Sequence, residues 1–144
     1  LASRARQETG GGSVALTGYR INGVYYYNPF NIGATSGSNP VVTGMYYAKS
    51  KGWNTKEKAV KGGASFLASG YINNKQDTLY TQKFNVANGT SRIATHQYMT
   101  NIMAPYSEAI SVKNAYTKYG IVNEPLVFKI PVYNNMPAST SLPR

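Results

Sequence analysis

The sequence predicts an α+β domain, mainly helical, with a small β-hairpin lobe near its start and an edge strand near its C-terminus. Three observations lead there. Between residues 41 and 120 run helix-length segments closed by Gly52, Gly70 and Gly120. Asn22-Gly23 is a two-residue hairpin turn signal set beside the β-prone Val24-Tyr25-Tyr26-Tyr27. Leu126-Val127-Phe128-Lys129-Ile130-Pro131-Val132-Tyr133 is an apolar β-run whose internal proline fits only an edge position. One domain is the expected count for 144 residues, and 42% hydrophobic content is enough to build a core.

Taken in order, Leu1 to Gln7 are good helix formers, and Thr9 with Gly10-Gly11-Gly12 ends that character abruptly. Ser13 to Ile21 reads as a polar, loop-like connection. The hairpin lobe follows over 22–44, with Asn28-Pro29 stopping the tyrosine run and Thr35-Ser36-Gly37-Ser38-Asn39-Pro40 forming a flexible loop. Val42, Met45, Tyr46 and Ala48 recur at near-helical spacing over Val41 to Lys51. Thr55 caps a second helix through Val60, Ala64, Phe66 and Leu67, whose Gly62-Gly63 weakens it but permits close helix contact. Tyr71 to Asn74 is a turn, and Thr78 to Phe84 is either a short helix or extended. Asn88-Gly89 marks a loop. Pro105 opens a last helix through Ala109, Val112 and Tyr116.

Composition sets the partners. A net charge of +10 points to an anionic partner at long range. The basic residues are scattered singly and in pairs, which is too thin for a nucleic-acid arm. No apolar run reaches the roughly 20 residues that span a bilayer. With no Cys and one His, His96, a zinc site has no ligand set, and no glycine pattern follows a strand to cradle a phosphate. The expectation is no metal, no cofactor, no nucleic acid and no membrane span.

Five acidic residues are present: Glu8, Glu57, Asp77, Glu108 and Glu124. Glu8 alone sits at a sharp change of backbone character. A carboxylate in the last turn of a helix faces the negative end of the dipole, and burial raises its pKa further, as a general acid requires. The competing reading is a solvated Glu paired with Arg4 at i,i+4 spacing. Glu57 and Glu108 read as helix first-turn residues, Asp77 as a helix or turn cap, Glu124 as surface and Trp53 as packing.

Three blocks bring a family into view. Arg-Gln-Glu-Thr-Gly-Gly at 6–11, Tyr-Tyr-Asn-Pro-Phe-Asn-Ile-Gly-Ala at 26–34 and His-Gln-Tyr-Met-Thr-Asn at 96–101 resemble bacterial endo-β-N-acetylglucosaminidases, the glucosaminidase autolysin domains of glycoside hydrolase family 73. Lys61-Gly62-Gly63-Ala64, Tyr71-Ile72-Asn73, Asn85-Val86 and the stretch from Ile130 to Pro137 resemble its clostridial branch. The resemblance implies a lysozyme-like domain over 1–133, with 134–144 as a tail or linker. It implies cleavage of the β-1,4 bond after N-acetylglucosamine in peptidoglycan, by a secreted protein in the wall of a Gram-positive bacterium or associated with phage. Glu8 matches the family's catalytic acid and Tyr98 the tyrosine of its Tyr-Ala-Thr-Asp-type motif. Tyr27, Asn28, Phe30, Asn31, Ile32, Gly33, Ala34, Gln97 and Thr100 match the blocks expected to bind the glycan.

Two departures shape the mechanism. Many relatives carry a second acidic residue in the hairpin lobe, and none lies between Glu8 and Glu57 here. Substrate assistance by the sugar's 2-acetamido group then takes its place, with Tyr98 polarising that group, and Asp77 as the rival second carboxylate. Only seven residues precede Glu8, so the helical sequence that family domains carry before it is expected to be missing or supplied elsewhere, alongside further modules. The alternatives are a relative that holds wall glycan without cutting it, or a muramidase or lytic transglycosylase on the same scaffold. Tyr27 and Phe30 also fit a core role, because one face of a hairpin must bury.

Overall fold

The computed structural model describes residues 14–35 and 38–141. The chain forms two compact units, Leu1–Gly70 and Tyr71–Arg144.

In the first unit a short helix α1, Val14–Thr17, leads into strands β1, Tyr19–Ile21, and β2, Val24–Tyr26. The strands pair antiparallel, with Tyr19 opposite Tyr26 and Ile21 opposite Val24. Asn22 and Gly23 both hold positive φ, 50° and 84°, so their two-residue turn matches the twist of the strands. The hairpin is as expected. The expected loop over 13–21 is not, because α1 and β1 occupy most of it. Gly18 makes the difference: at φ 103° it reverses the chain between them, and a Cβ there would stand 2.9 Å from the Tyr27 ring.

Helix α2, Pro40–Ser50, starts on the Asn39 side chain, which accepts from the Val42 amide, with Pro40 in the first turn. Helix α3 spans Lys56–Gly70. Ala15, Ile21 and Met45 are buried together, with Tyr19 and Tyr26 packed against them. Gly62 and Gly63 do admit a close approach, but it is made by rings instead of a helix. Cβ atoms there would fall 2.2 Å from the Trp53 indole nitrogen and 2.1 Å from Phe30 Cδ2. Gly63→Ala is therefore expected to destabilise by about 1–3 kcal/mol through overpacking. Gly70→Ala, with open space around it, should gain up to about 1 kcal/mol from helix propensity. Denaturant titration of the two variants checks the pair; equal shifts would mean that the rings yield freely.

In the second unit a 3-10 turn over Ile72–Asn74 precedes α4, Leu79–Phe84. Thr78 and Thr81 exchange side-chain and backbone hydrogen bonds in a capping box, which settles the helix-or-extended choice for this stretch. Two more 3-10 turns, Val86–Asn88 and Thr90–Arg92, flank Gly89. Helix α5, Ala104–Lys118, is the longest of the unit. Glu108 lies past its first turn and is buried, so it is not the dipole-facing residue the sequence suggests.

The expected C-terminal edge strand does not form. Residues 126–133 have no strand partner, and the one sheet among the described residues is β1–β2. The run is held instead by side chains. Lys129 pairs with Asp77, and the Tyr133 hydroxyl meets the Tyr80 hydroxyl at 2.9 Å. Desolvation first, and that hydrogen bond second, push the Tyr133 hydroxyl up to about 12. Residues 134–141 carry no helix or strand. Among the described residues no helix is long and apolar enough to cross a membrane.

Candidate active site

The first unit builds the loop 27–34. Its backbone is fixed at one end by Tyr27 N donating to Trp53 O (3.0 Å) and Asn28 N donating to Ala15 O (2.8 Å). Asn28 is fully buried. Its Nδ2 donates to the carbonyls of Ile32 and Gly44, both at 2.8 Å, and its Oδ1 accepts from Ile32 N at 3.0 Å. One side chain thus closes the loop on itself and ties it to α2. Asn31 and Gly33 then turn the backbone through left-handed conformations, φ 51° and 74°. A Cβ on Gly33 would meet the Tyr47 ring at 2.7 Å, so only glycine fits this crossing.

The seven residues assigned to glycan binding in this block differ in exposure. Asn28, Phe30 and Ile32 are buried, because Phe30 fills the space over Gly63, Asn28 spends its amide on backbone, and Ile32 shares that closure. Tyr27, Asn31 and Ala34 remain half-buried and Gly33 exposed, so these four keep surface for a ligand. Tyr25 and Tyr46 are exposed in the same unit, while Tyr47 sets its ring edge-on to the buried Trp53 with centroids 5.7 Å apart. Trp53 packs, as expected.

The second unit presents the loop 94–100 on α4. Ala94 N donates to Phe84 O (2.7 Å) and Tyr98 N to Gln82 O (3.0 Å), so the loop is docked on the last turn of the helix as a strap. Gln76, fully buried, donates from Nε2 to Thr81 O (2.9 Å) and His96 O (3.1 Å). Its Oε1 is then left to accept, at 2.8 Å, from His96 Nδ1, which fixes the imidazole tautomer. The His96 ring stacks on Tyr71 with centroids 4.6 Å apart, and Tyr71 stands edge-on to Tyr98 at 5.2 Å. Tyr98 is held half-buried by this aromatic row, and Gln97 is half-buried beside exposed Thr100.

Lys83 was not legible as a site residue. It is 5% exposed, and its ammonium donates to Gln97 Oε1 (3.2 Å), Met99 O (3.2 Å) and Thr100 O (2.7 Å). No local signal marks it, because its partners lie 14–17 residues downstream.

The carboxylates take separate stations. Asp77 is bound by Lys129 instead of capping a helix, the capping being done by Thr78. Glu57 pairs with Lys61 at 2.7 Å on an exposed face of α3, and Glu124 is exposed. Glu8 lies outside the described residues. Among the described residues, no three His, Asp or Glu side chains cluster to hold a metal.

Over most of its length the chain is similar to solved glucosaminidases. A catalytic mutant of Staphylococcus aureus autolysin E, solved in complex with the disaccharide NAG-NAM, superposes with a TM-score of 0.66 at 34% identity, over 82% of this chain and 51% of that one. S. aureus glucosaminidase B gives 0.59 at 37% identity, over 81% and 45%. In sequence the chain is a homologue of the beta-N-acetylglucosaminidase of Bacillus subtilis (41% identical over 138 residues) and of the bifunctional autolysin of Staphylococcus epidermidis (38% over 142). Both matches take in 92% of this chain, which spans only 14% and 10% of those proteins and about half of the solved autolysin E. No protein-family profile matches the chain.

Proposed function

We propose that this chain is the catalytic part of a peptidoglycan hydrolase that cuts the β-1,4 bond after N-acetylglucosamine. The observation that carries the reading is the 34% identity and shared fold with autolysin E, whose catalytic mutant was solved with NAG-NAM. The resemblance of the segments around Glu8 and Tyr98 to glucosaminidase motifs supports it. Glu8 donates its proton to the leaving glycosidic oxygen. The acetamido oxygen of the same sugar closes on the anomeric carbon as that bond breaks, and water then opens the ring so formed. Tyr98 donates a hydrogen bond to the acetamido group as charge develops there. The engagement of Asp77 by Lys129 favours this route over one that needs Asp77 as a base. Half-buried Tyr27 and Asn31 and exposed Gly33 offer the glycan ring and hydrogen-bonding contacts.

The protein acts in this reading at the cell wall of a Gram-positive bacterium, held by its net charge of +10 on anionic wall polymers. Attraction between exposed charges is screened over about 10 Å at 0.1 M salt. Wall binding should therefore weaken steeply with salt, while cleavage of short soluble oligomers changes little; equal salt sensitivity of the two would place the charge in the site itself. The chemistry is tested by the anomer formed first. The acetamido route retains configuration and gives the β-anomer, and Tyr98→Phe should slow turnover more than it weakens binding. The α-anomer as first product would require a base and would return Asp77 to the mechanism.

A further inference from the structure

A buried ammonium with only neutral partners is an expensive way to fill a core position. Transfer of a charge out of water costs several kcal/mol unless it is well paired, and an apolar side chain of similar length is often as stable or more so. Among the described residues, Lys83 is such a group. Among the described residues no carboxylate pairs with it, and three oxygens from one short loop meet its three donors. Those oxygens belong to Gln97, Met99 and Thr100, so they bracket Tyr98, whose own amide is bonded to Gln82 of the same helix. The base of the arrangement is rigid, because the capping box at Thr78 locks the first turn of α4.

We propose that Lys83 is a positioning residue for the glycan-cutting reaction: by gathering Gln97, Met99 and Thr100 on one ammonium, it fixes the direction in which Tyr98 presents its hydroxyl to the sugar. This rests on the glucosaminidase reading of Tyr98. The charge suits the task because a hydrogen bond from an ionised donor is roughly twice as strong as a neutral one, and a single centre with three donors holds three points of the loop at once. The structural scaffolding of Asn28 is different in kind, since its side chain closes its own loop and ties it to α2.

The test uses Lys83→Met and Lys83→Arg in the whole chain, singly and with Tyr98→Phe. Lys83→Met keeps length and burial, and the carbonyl of exposed Thr100 and the side chain of half-buried Gln97 can turn to water. The amide resonances of residues 97–100 should move and the Tyr98 amide should exchange on the order of ten-fold faster, while the hairpin amides of 19–26 stay in place. Turnover should fall on the order of 10- to 100-fold, as for a displaced catalytic group, with KM changed by no more than about three-fold. Lys83→Arg, which keeps the charge and the donors, should recover part of the loss. The Lys83→Met/Tyr98→Phe double variant should be no slower than Tyr98→Phe alone, because the two act through one hydroxyl. Unmoved 97–100 resonances, or losses that simply add, overturn the proposal. A parent protein that cuts no glycan refutes the glucosaminidase reading instead, and the resonances then decide by themselves whether Lys83 sets the loop.

Discussion

Glu8→Gln is expected to abolish glycan hydrolysis while leaving the fold and the binding of glycan intact. Glutamine keeps the size and polarity of the side chain and removes the proton it must give to the leaving oxygen. General acid catalysis contributes typically 100- to 10,000-fold, so a loss on the order of 100-fold or more should be read in kcat. Circular dichroism and glycan co-sedimentation of the variant should match the parent. Activity within a few-fold of the parent would remove Glu8 from the mechanism.

The largest expected effect on stability comes from Asn28→Ala. The substitution leaves the carbonyl and the amide of Ile32 without their partner in buried surroundings, and takes from the Gly44 carbonyl the donor it receives beside its place in the α2 ladder. An unsatisfied buried polar group costs about 1–3 kcal/mol, so a loss on the order of 3 kcal/mol or more is expected, with Tm down by roughly 10 °C. Asn28→Asp should be as damaging, because it would aim a carboxylate at two carbonyl oxygens. Thermal unfolding of the three proteins decides the matter. Retention of the parent Tm by Asn28→Ala would mean that water enters and replaces the amide.

These two residues also mark how far the sequence could be read. The hairpin was legible because Asn22-Gly23 is among the few pairs that accept two positive φ values in succession. Helices α2, α3 and α5 were legible from their caps, prolines and closing glycines. The block at 26–34 was legible as a motif, but the direction of its side chains was not. Asn28 and Phe30 turn inward because Gly44 and Gly63, 16 and 33 residues downstream by number, leave room for them. Local pattern does not carry that information.

The C-terminal run failed for another reason. Its composition satisfies β propensity, yet a strand exists only as a partner in a ladder, and none is offered to residues 126–133. Lys83 and Gln76 were missed because a buried polar residue looks like a surface one until its acceptors are known. Both serve backbone carbonyls in and around a distant loop.

The central claim concerns which bond is cut. Muropeptides released from purified peptidoglycan, reduced with borohydride and analysed by mass, report it through the sugar at the new reducing end. Reduced N-acetylglucosamine at those ends is the predicted result. Reduced N-acetylmuramic acid would make the protein a muramidase, anhydro-sugar ends a lytic transglycosylase, and release of no fragments a glycan-binding relative; each of the three contradicts the account.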